Sequence, residues 1–247
     1  MANVIKLRKG LDVNLKGKAA KEEFQVKKPA VYALMPDDFT GMKPKVVVKE
    51  NDVVKVGDAL FVDKNHPEIK FVSPVSGRVT MVERGDRRKV LSVRVEADAE
   101  LQYVDFGKKS AGQMTAQEVK ALLLESGLFA FFKQRPYDVT ANPTDTPKAI
   151  FVSAFNSMPL AADFEYVLRG READFQAGLD ALAKMAKTYL GVSSKQTATA
   201  LTAAKNVEIN FFDGPAPAGN VGVQINHISP INKGEVVWTL GAEEVIF

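Results

Sequence analysis

The sequence predicts an all-β first half followed by a small, alternating α/β unit. Three observations carry that expectation. Short β-branched runs punctuated by turn residues fill the first hundred positions. A helix-opening signature stands at Thr115-Ala-Gln-Glu118. From residue 148 onward the pattern switches to apolar runs separated by helical spacing, as in a doubly wound unit.

The early runs are Val46-Val-Val-Lys49, Ala59-Leu-Phe-Val-Asp63, Ile69-Lys-Phe-Val72, Gly77-Arg-Val-Thr-Met-Val82 and Val90-Leu-Ser-Val-Arg-Val95. Asn51-Asp52, Gly57-Asp58, Ser73-Pro74, Ser76-Gly77 and Gly85-Asp86 separate them, each pair supplying residues that tolerate or fix turn backbone. The order of Glu50-Asn-Asp-Val-Val-Lys-Val-Gly-Asp-Ala-Leu60 and Ser73-Pro-Val-Ser-Gly-Arg-Val79 resembles a biotinyl/lipoyl-type barrel-sandwich hybrid, whose two strand pairs read GDxVxxGxxL and APxxGxV. In carrier versions of that module a hairpin lysine takes the lipoyl or biotin group, and Lys64 is the residue here that would do so. The hairpin is longer than a lipoyl hairpin, contains Pro67, and has no flexible Ala/Pro linker beside it. Lys64 is therefore read as structural, with the carrier domain kept as the alternative.

Thr115-Ala-Gln-Glu118 predicts a capped helix whose apolar face is Val119, Leu122 and Leu123, ending near Ser126-Gly127. Asn142-Pro-Thr-Asp-Thr-Pro147 reads as a Pro-broken boundary. Beyond it come a strand over 149–155, a helix over 171–186 with Phe175, Leu179, Leu182 and Ala186 at helical spacing, and a strand over 188–192. A short helix over 194–204, a strand over 207–212 and a strand over 236–240 follow. The expected domains are a β domain over 1–110, a helical connector over 111–146 and a Rossmann-like α/β domain over 147–247. The apolar ending Val245-Ile-Phe247 is read as a cut through a longer protein.

Composition narrows the chemistry. With 247 residues, 46% hydrophobic and 26% charged, the chain can bury a sizeable core. No apolar run reaches the ~18 residues of a spanning helix, and the first residues lack a signal core. There is no cysteine and there are two histidines, His66 and His227, which excludes thiolate-held clusters, a cysteine nucleophile and a three-histidine metal site. Neither histidine lies near a nucleophile elbow. Residues 1–50 hold 11 Lys or Arg against 6 Asp or Glu, a surplus of five in a chain of net charge +3. That bias suits an anionic surface or an acidic partner. Without aromatic interleaving or a recognition helix it does not suggest nucleic acid.

The loop after the first α/β strand, with Asn156, Pro159 and Asp163, stands where such folds hold ligands. Just upstream, Glu125-Ser-Gly-Leu-Phe-Ala-Phe-Phe-Lys-Gln-Arg-Pro-Tyr137 lacks the glycines that let backbone close on a phosphate. Asp63 and Asp163 are carboxylates able to meet a cation, but neither is assigned as a metal ligand.

Four stretches together resemble the N-terminal half of the A-type subunit of the sodium-translocating NADH:quinone oxidoreductase. They are Lys9-Gly-Leu-Asp-Val-Asn-Leu-Lys-Gly17, the Gly57-Asp58/Ser73-Pro-Val-Ser-Gly77 unit, Leu124-Glu-Ser-Gly-Leu128 with Arg135-Pro136, and Asn156–Asp163 with Gly214-Pro-Ala-Pro-Ala-Gly219. Where relatives commonly carry histidine in the last loop, this chain has Ala216, which weakens a proton-transfer role there. The architecture is shared with the flavin-binding member of respiratory complex I and with the C-type subunit of Rnf complexes. In the complex I relative a GxGGxGFPT loop cradles flavin phosphate. Here one glycine remains, and Phe129, Phe131 and Phe132 crowd the position, so the resemblance implies no FMN bound that way. Thr197-Ala-Thr-Ala-Leu-Thr202 does not match the Ser-Gly-Ala-Thr-like sequence of a covalent flavin site.

The resemblance further implies a peripheral subunit on the cytoplasmic face of the bacterial inner membrane, docked on the membrane-embedded B-type subunit. NADH, flavins, ubiquinone or menaquinone and sodium would belong to the complex, with no cofactor, catalytic residue or metal ligand on this chain. Phe129, Phe131, Phe132 and Tyr137 are the residues that would line an apolar quinone-proximal slot. The competing expectation is an ordinary aromatic core at a domain junction. An independent flavin oxidoreductase is the remaining alternative, opposed by the missing glycine loop.

Overall fold

The computed structural model describes residues 4–17 and 20–247. Strand β1 (Val4–Lys6) comes first, and the described residues between it and β2 (Val31–Leu34) form no helix or strand. Six more short strands complete the β unit: β3 (Pro44–Val46), β4 (Val53–Val54), β5 (Ala59–Asp63), β6 (Lys70–Val72), β7 (Gly77–Arg84) and β8 (Val90–Ala97). They form a four-stranded sheet in the order β2-β8-β7-β4 and a three-stranded sheet β3-β5-β6. The inner faces share a core of Leu60, Phe61, Phe71, Val79, Val93 and Val95. Alternation along β8, with Val93 and Val95 inward, is the period-2 pattern that the sequence shows. Phe61 and Phe71 stack at 5.0 Å, and Phe39 closes on Phe71 edge-on at 4.5 Å. Gly77 opens β7 at φ 154°, where a Cβ would lie 1.9 Å from the Glu96 carbonyl oxygen, so the hairpin pairing requires glycine.

Helix α1 (Ala116–Glu125) begins at the expected capping box: Thr115 Oγ1 accepts from the Glu118 N–H and Glu118 Oε2 from the Thr115 N–H. It stops at Ser126, and Gly127 turns left-handed into the 3₁₀ turn Leu128–Phe131. Then follow β9 (Lys133–Arg135), β10 (Val139–Thr140), β11 (Ile150–Ser153), α2 (Phe164–Val167), α3 (Glu172–Met185), β12 (Thr188–Ser193), α4 (Thr199–Thr202), β13 (Glu208–Asp213), α5 (Val221–Ile228) and β14 (Val237–Gly241).

The larger sheet runs β1-β13-β12-β11-β14-β9-β10, parallel from β1 through β14 and antiparallel at β9 and β10. Side chains alternate across it. Ile150, Val152, Leu190 and Val192 join Phe175, Leu179 and Leu182 of α3, whereas Ala149, Phe151, Tyr189 and Val237 pack on Ile225 of α5. This is a barrel-sandwich hybrid followed by a Rossmann-like α/β unit, the architecture expected.

Four local readings change. Val4–Lys6 lies within the stretch expected as β domain, yet β1 pairs in parallel with β13 of the large sheet. The stretch expected as a helical connector also contributes β9 and β10 to that sheet. The helix expected over 194–204 contracts to Thr199–Thr202, because the Gln196 side chain accepts from the Thr197 and Ala198 amides and holds the preceding turn open. Helix α5 has no counterpart among the expected elements: its Gly-Pro flank reads as loop, although Asn220 caps it by accepting from the Gly222 N–H.

Candidate functional site

In open α/β sheets the ligand crevice lies beyond the carboxyl ends of the strands, where the order of strands reverses. Here β11 stands between β12 and β14, so the reversal falls between β11 and β14. A crevice of about 430 Å³ opens at that point. The loop after β11 contributes Asn156, Ser157 and Met158, the turn after β14 contributes Glu243 and Glu244, β9 contributes Lys133 and Arg135, and the start of α5 contributes Gly219 and Asn220.

Most of the amides around α5 are already occupied. Ala218 N–H donates to the Pro215 carbonyl, Asn220 N–H to that of Pro217, and Val223 and Gln224 N–H to that of Asn220. Gly222 N–H is taken by Asn220 Oδ1 and Gly219 N–H by Ser157 Oγ. A phosphate cradle needs such amides pointing outward. The charges are also mixed. Arg135 Nη2 lies 3.2 Å from Asp138 Oδ1, and its buried Nε has no acceptor. Glu244 Oε2 accepts from the Gly241 N–H at 2.6 Å. Burial raises the Glu244 carboxyl above the usual range, and neighbouring Glu243 adds to this.

Asn156 lines this crevice, with Oδ1 accepting from the Met158 N–H, and Pro159 lines an adjoining one of about 320 Å³. Asp163 has a structural duty: it caps α2, accepting from Glu165 and Tyr166 N–H, and pairs with Lys21 at 2.8 Å. The hydrogen bond from Lys21 holds its carboxyl below the usual range. Asp63 is buried, with Oδ1 accepting from Lys43 and Asn65 N–H. Lys64 is exposed on the β5–β6 hairpin, where its amide donates to the Lys43 carbonyl. His66 lies 3.7 Å from Glu68, and exposed His227 meets the carbonyl oxygen of Val223 on its own helix at 2.9 Å. Among the described residues no group of three or more His, Cys, Asp or Glu is gathered to hold a metal. No helix among them is long and apolar enough to cross a membrane.

The four aromatic candidates do not share one slot. Phe129 and Phe132 are buried, stacked at 5.1 Å, and both meet Trp238 edge-on. Their helical turn folds under the sheet, so their faces are spent on the core. Tyr137 is 83% exposed, carried outward by the β9–β10 turn. Phe131 is the one that faces open apolar space. With an edge of Phe132 it lines a cleft of about 330 Å³ beside Leu122 and Leu128, and alone of the four it lines a second of about 570 Å³ between the two units beside Phe71, Tyr103 and Phe106.

The larger surprise is what three of the motif stretches do together. Leu11 N–H donates to the Ala216 carbonyl and Asp12 Oδ1 accepts from the Ala216 N–H, so the Lys9–Gly17 stretch crosses directly over the Gly214–Gly219 loop. Gly10 is needed there, since a Cβ would fall 2.0 Å from the Ala216 oxygen. Ser157 Oγ then binds the third stretch to the loop by accepting from the Gly219 N–H, and Asp163 at its end pairs with Lys21, four residues beyond Gly17. The roles of Gly10, Asp12, Lys21 and Ser157 escape a reading of the sequence because pairing across 62 to 204 positions leaves no local signature; Gly10, two residues before Asp12, is the available signal.

Residues 5–98 match the NqrA N-terminal barrel-sandwich hybrid domain, and residues 114–247 match the NqrA second alpha/beta domain. The chain is 35% identical over 249 residues to the A-type subunit of the Na(+)-translocating NADH-quinone reductase of Yersinia pseudotuberculosis serotype O:1b (strain IP 31758), covering 98% of this chain and 55% of that protein. It is 34% identical to the protein of that name from Pseudomonas aeruginosa (strain UCBPP-PA14) and 35% to that from Vibrio vulnificus (strain YJ016), with the same coverage. The chain thus spans about half the length of the curated relatives it matches. Both domains in order, on the fold that the geometry shows, establish that this chain belongs to the NqrA family.

Proposed function

We propose that this chain serves within a sodium-translocating NADH:quinone reductase as a peripheral scaffold on the cytoplasmic face, docked on the membrane-embedded B-type subunit, where it borders the quinone path. The observation that carries the reading is the match of both domains, in order, to relatives that bear the name of that enzyme's A-type subunit. Electrons from NADH would pass through flavins held elsewhere in the complex. The locally hydrogen-bonded amides around α5 and the packed Phe129 and Phe132 support a chain that binds no flavin of its own. Of the four aromatics, exposed Phe131 keeps the quinone-proximal role, because its two clefts, about 330 and 570 Å³, are lined largely by apolar side chains.

The test is steady-state turnover of the purified complex across a quinone titration, beside the chain alone. The chain by itself is expected to have the bare polypeptide mass in native mass spectrometry and no NADH:quinone turnover. In the complex, Phe131→Ala is expected to raise the quinone KM several-fold, with NADH oxidation by an artificial acceptor unchanged. Turnover by the chain alone, or a bound flavin mass, overturns the scaffold reading. An unchanged quinone KM removes Phe131 from the quinone path.

A further inference from the structure

Between β1 and β2 the described residues, 7–17 and 20–30, form no helix or strand, and their apolar side chains face solvent: Leu11 is 81% and Phe24 88% exposed, with Val13, Leu15 and Val26 also exposed. Leu11, Val13 and Leu15 alternate in the sequence, the spacing that places side chains on one side of a strand once a partner strand pairs with it. This stretch is anchored. Leu7 N–H donates to the Asp213 carbonyl and Leu11 N–H to that of Ala216, prolonging the parallel pairing of β1 with β13 along one edge. Asp12 fixes the polar side to the Gly-Pro loop, and Lys21 ties to Asp163. The opposite edge of β1 has no strand partner among the described residues.

Residues 1–30 carry eight Lys or Arg against three Asp or Glu. Lysines along an edge can simply repel chance strand pairing. That accounts for Lys6, Arg8 and Lys9 but not for a row of exposed Leu and Val beside them. A second copy would set this basic stretch against itself. A lipid surface would cover the side chains but leave extended backbone without hydrogen-bond partners. A polypeptide strand supplies both backbone partners and apolar cover, and acidic residues on it would match the surplus of positive charge.

We propose that the open edge of β1, continued by Leu11, Val13 and Leu15, is a docking strip for an extended acidic and apolar segment of another protein of the complex, added as a strand beside β1. This rests on the reading of the chain as one part of that complex, and it specifies where the chain is gripped. The experiment places a photo-reactive benzophenone side chain at Val13 in the complex isolated from cells, with mass spectrometry of the adducts. The expected adduct is one peptide of a different subunit in which Asp and Glu outnumber Lys and Arg. The triple variant Leu11→Ser/Val13→Ser/Leu15→Ser, with an unchanged melting curve, is expected to reduce retention of the chain in the complex at least tenfold. A chain that is retained while Val13 captures only its own polypeptide, a second copy or phospholipid overturns the docking strip and leaves the proposed membership of the complex standing. A chain that never co-purifies with the complex overturns both.

Discussion

Glu243 and Glu244 bend back over Gly241, where a Cβ would lie 2.7 Å from a Glu243 carboxylate oxygen, so two like charges are held at the rim of the crevice by a glycine. Burial, then the Glu243 charge, raise the Glu244 carboxyl; the Gly241 N–H and Lys133 oppose them without cancelling the effect. As pH rises above the ordinary value of 4.5, the unfolded chain loses this proton before the folded one does. The folded state therefore gives up stability through that window and remains lower above it. Glu244→Gln keeps an oxygen for the Gly241 amide and removes the charge. The variant is expected to melt higher than the parent at pH 8 and level with it at pH 4. A variant that is less stable at pH 8 would show that the ionised carboxylate is favoured there. Glu118 has the opposite sign. Lys109, then the Thr115 amide and hydroxyl, hold it down to about 2, so its contribution is present above pH 4.5 and fades as pH falls toward 2.

Helix α1 shows what a sequence can specify locally. Thr115 and Glu118 satisfy each other's backbone amides, and Lys109 pairs with the Glu118 carboxylate. Thr115→Ala should cost about 1 kcal/mol, seen as roughly 2–4 °C in Tm for a chain of this size. A variant that melts with the parent would mean that α1 is held by packing alone. Both ends of α1, the alternation of β8 and the apolar runs of β11 and β12 are legible because each is encoded within a few neighbouring residues. β1, β9 and β10 are not. Each has two or three residues; β1 and β9 exist because a distant strand offers an edge, as Val4 opposite Phe211 and Gln134 opposite Trp238 show, and β10 forms only on β9 once β9 is held there. The candidate site is half legible. Asn156 and the loop after β11 follow from the strand that precedes them. The latch of Gly10 and Asp12 on Ala216, and the separation of Tyr137 from Phe131, depend on contacts that no local pattern records.

One hydrophobic core runs through both units, from Leu60 and Phe71 of the barrel to Phe129, Ile150 and Trp238 of the α/β unit. Lys70 adds an ion pair to Glu125 across the same junction at 2.8 Å, and Thr140 N–H donates to the Thr40 carbonyl. A continuous core should unfold as one unit, so calorimetry is expected to show a single transition for the chain. Gly127 sits at the centre of this joint. It has φ 79°, and an added Cβ would approach Val72 Cγ1 to 2.5 Å, so Gly127→Ala combines left-handed backbone strain with a clash between the two units. Gly170 separates the two effects: it has φ 77° with nothing within 4 Å of a Cβ, so Gly170→Ala carries the backbone strain alone. That control should cost about 1 kcal/mol. Gly127→Ala should cost about 2–3 kcal/mol, roughly 5–10 °C in Tm. Equal losses in the two variants would mean that Val72 moves aside freely and the barrel rests only loosely on the α/β unit. A larger loss at Gly127 places stability in the joint itself, the surface along which Phe131 and its clefts are held in position.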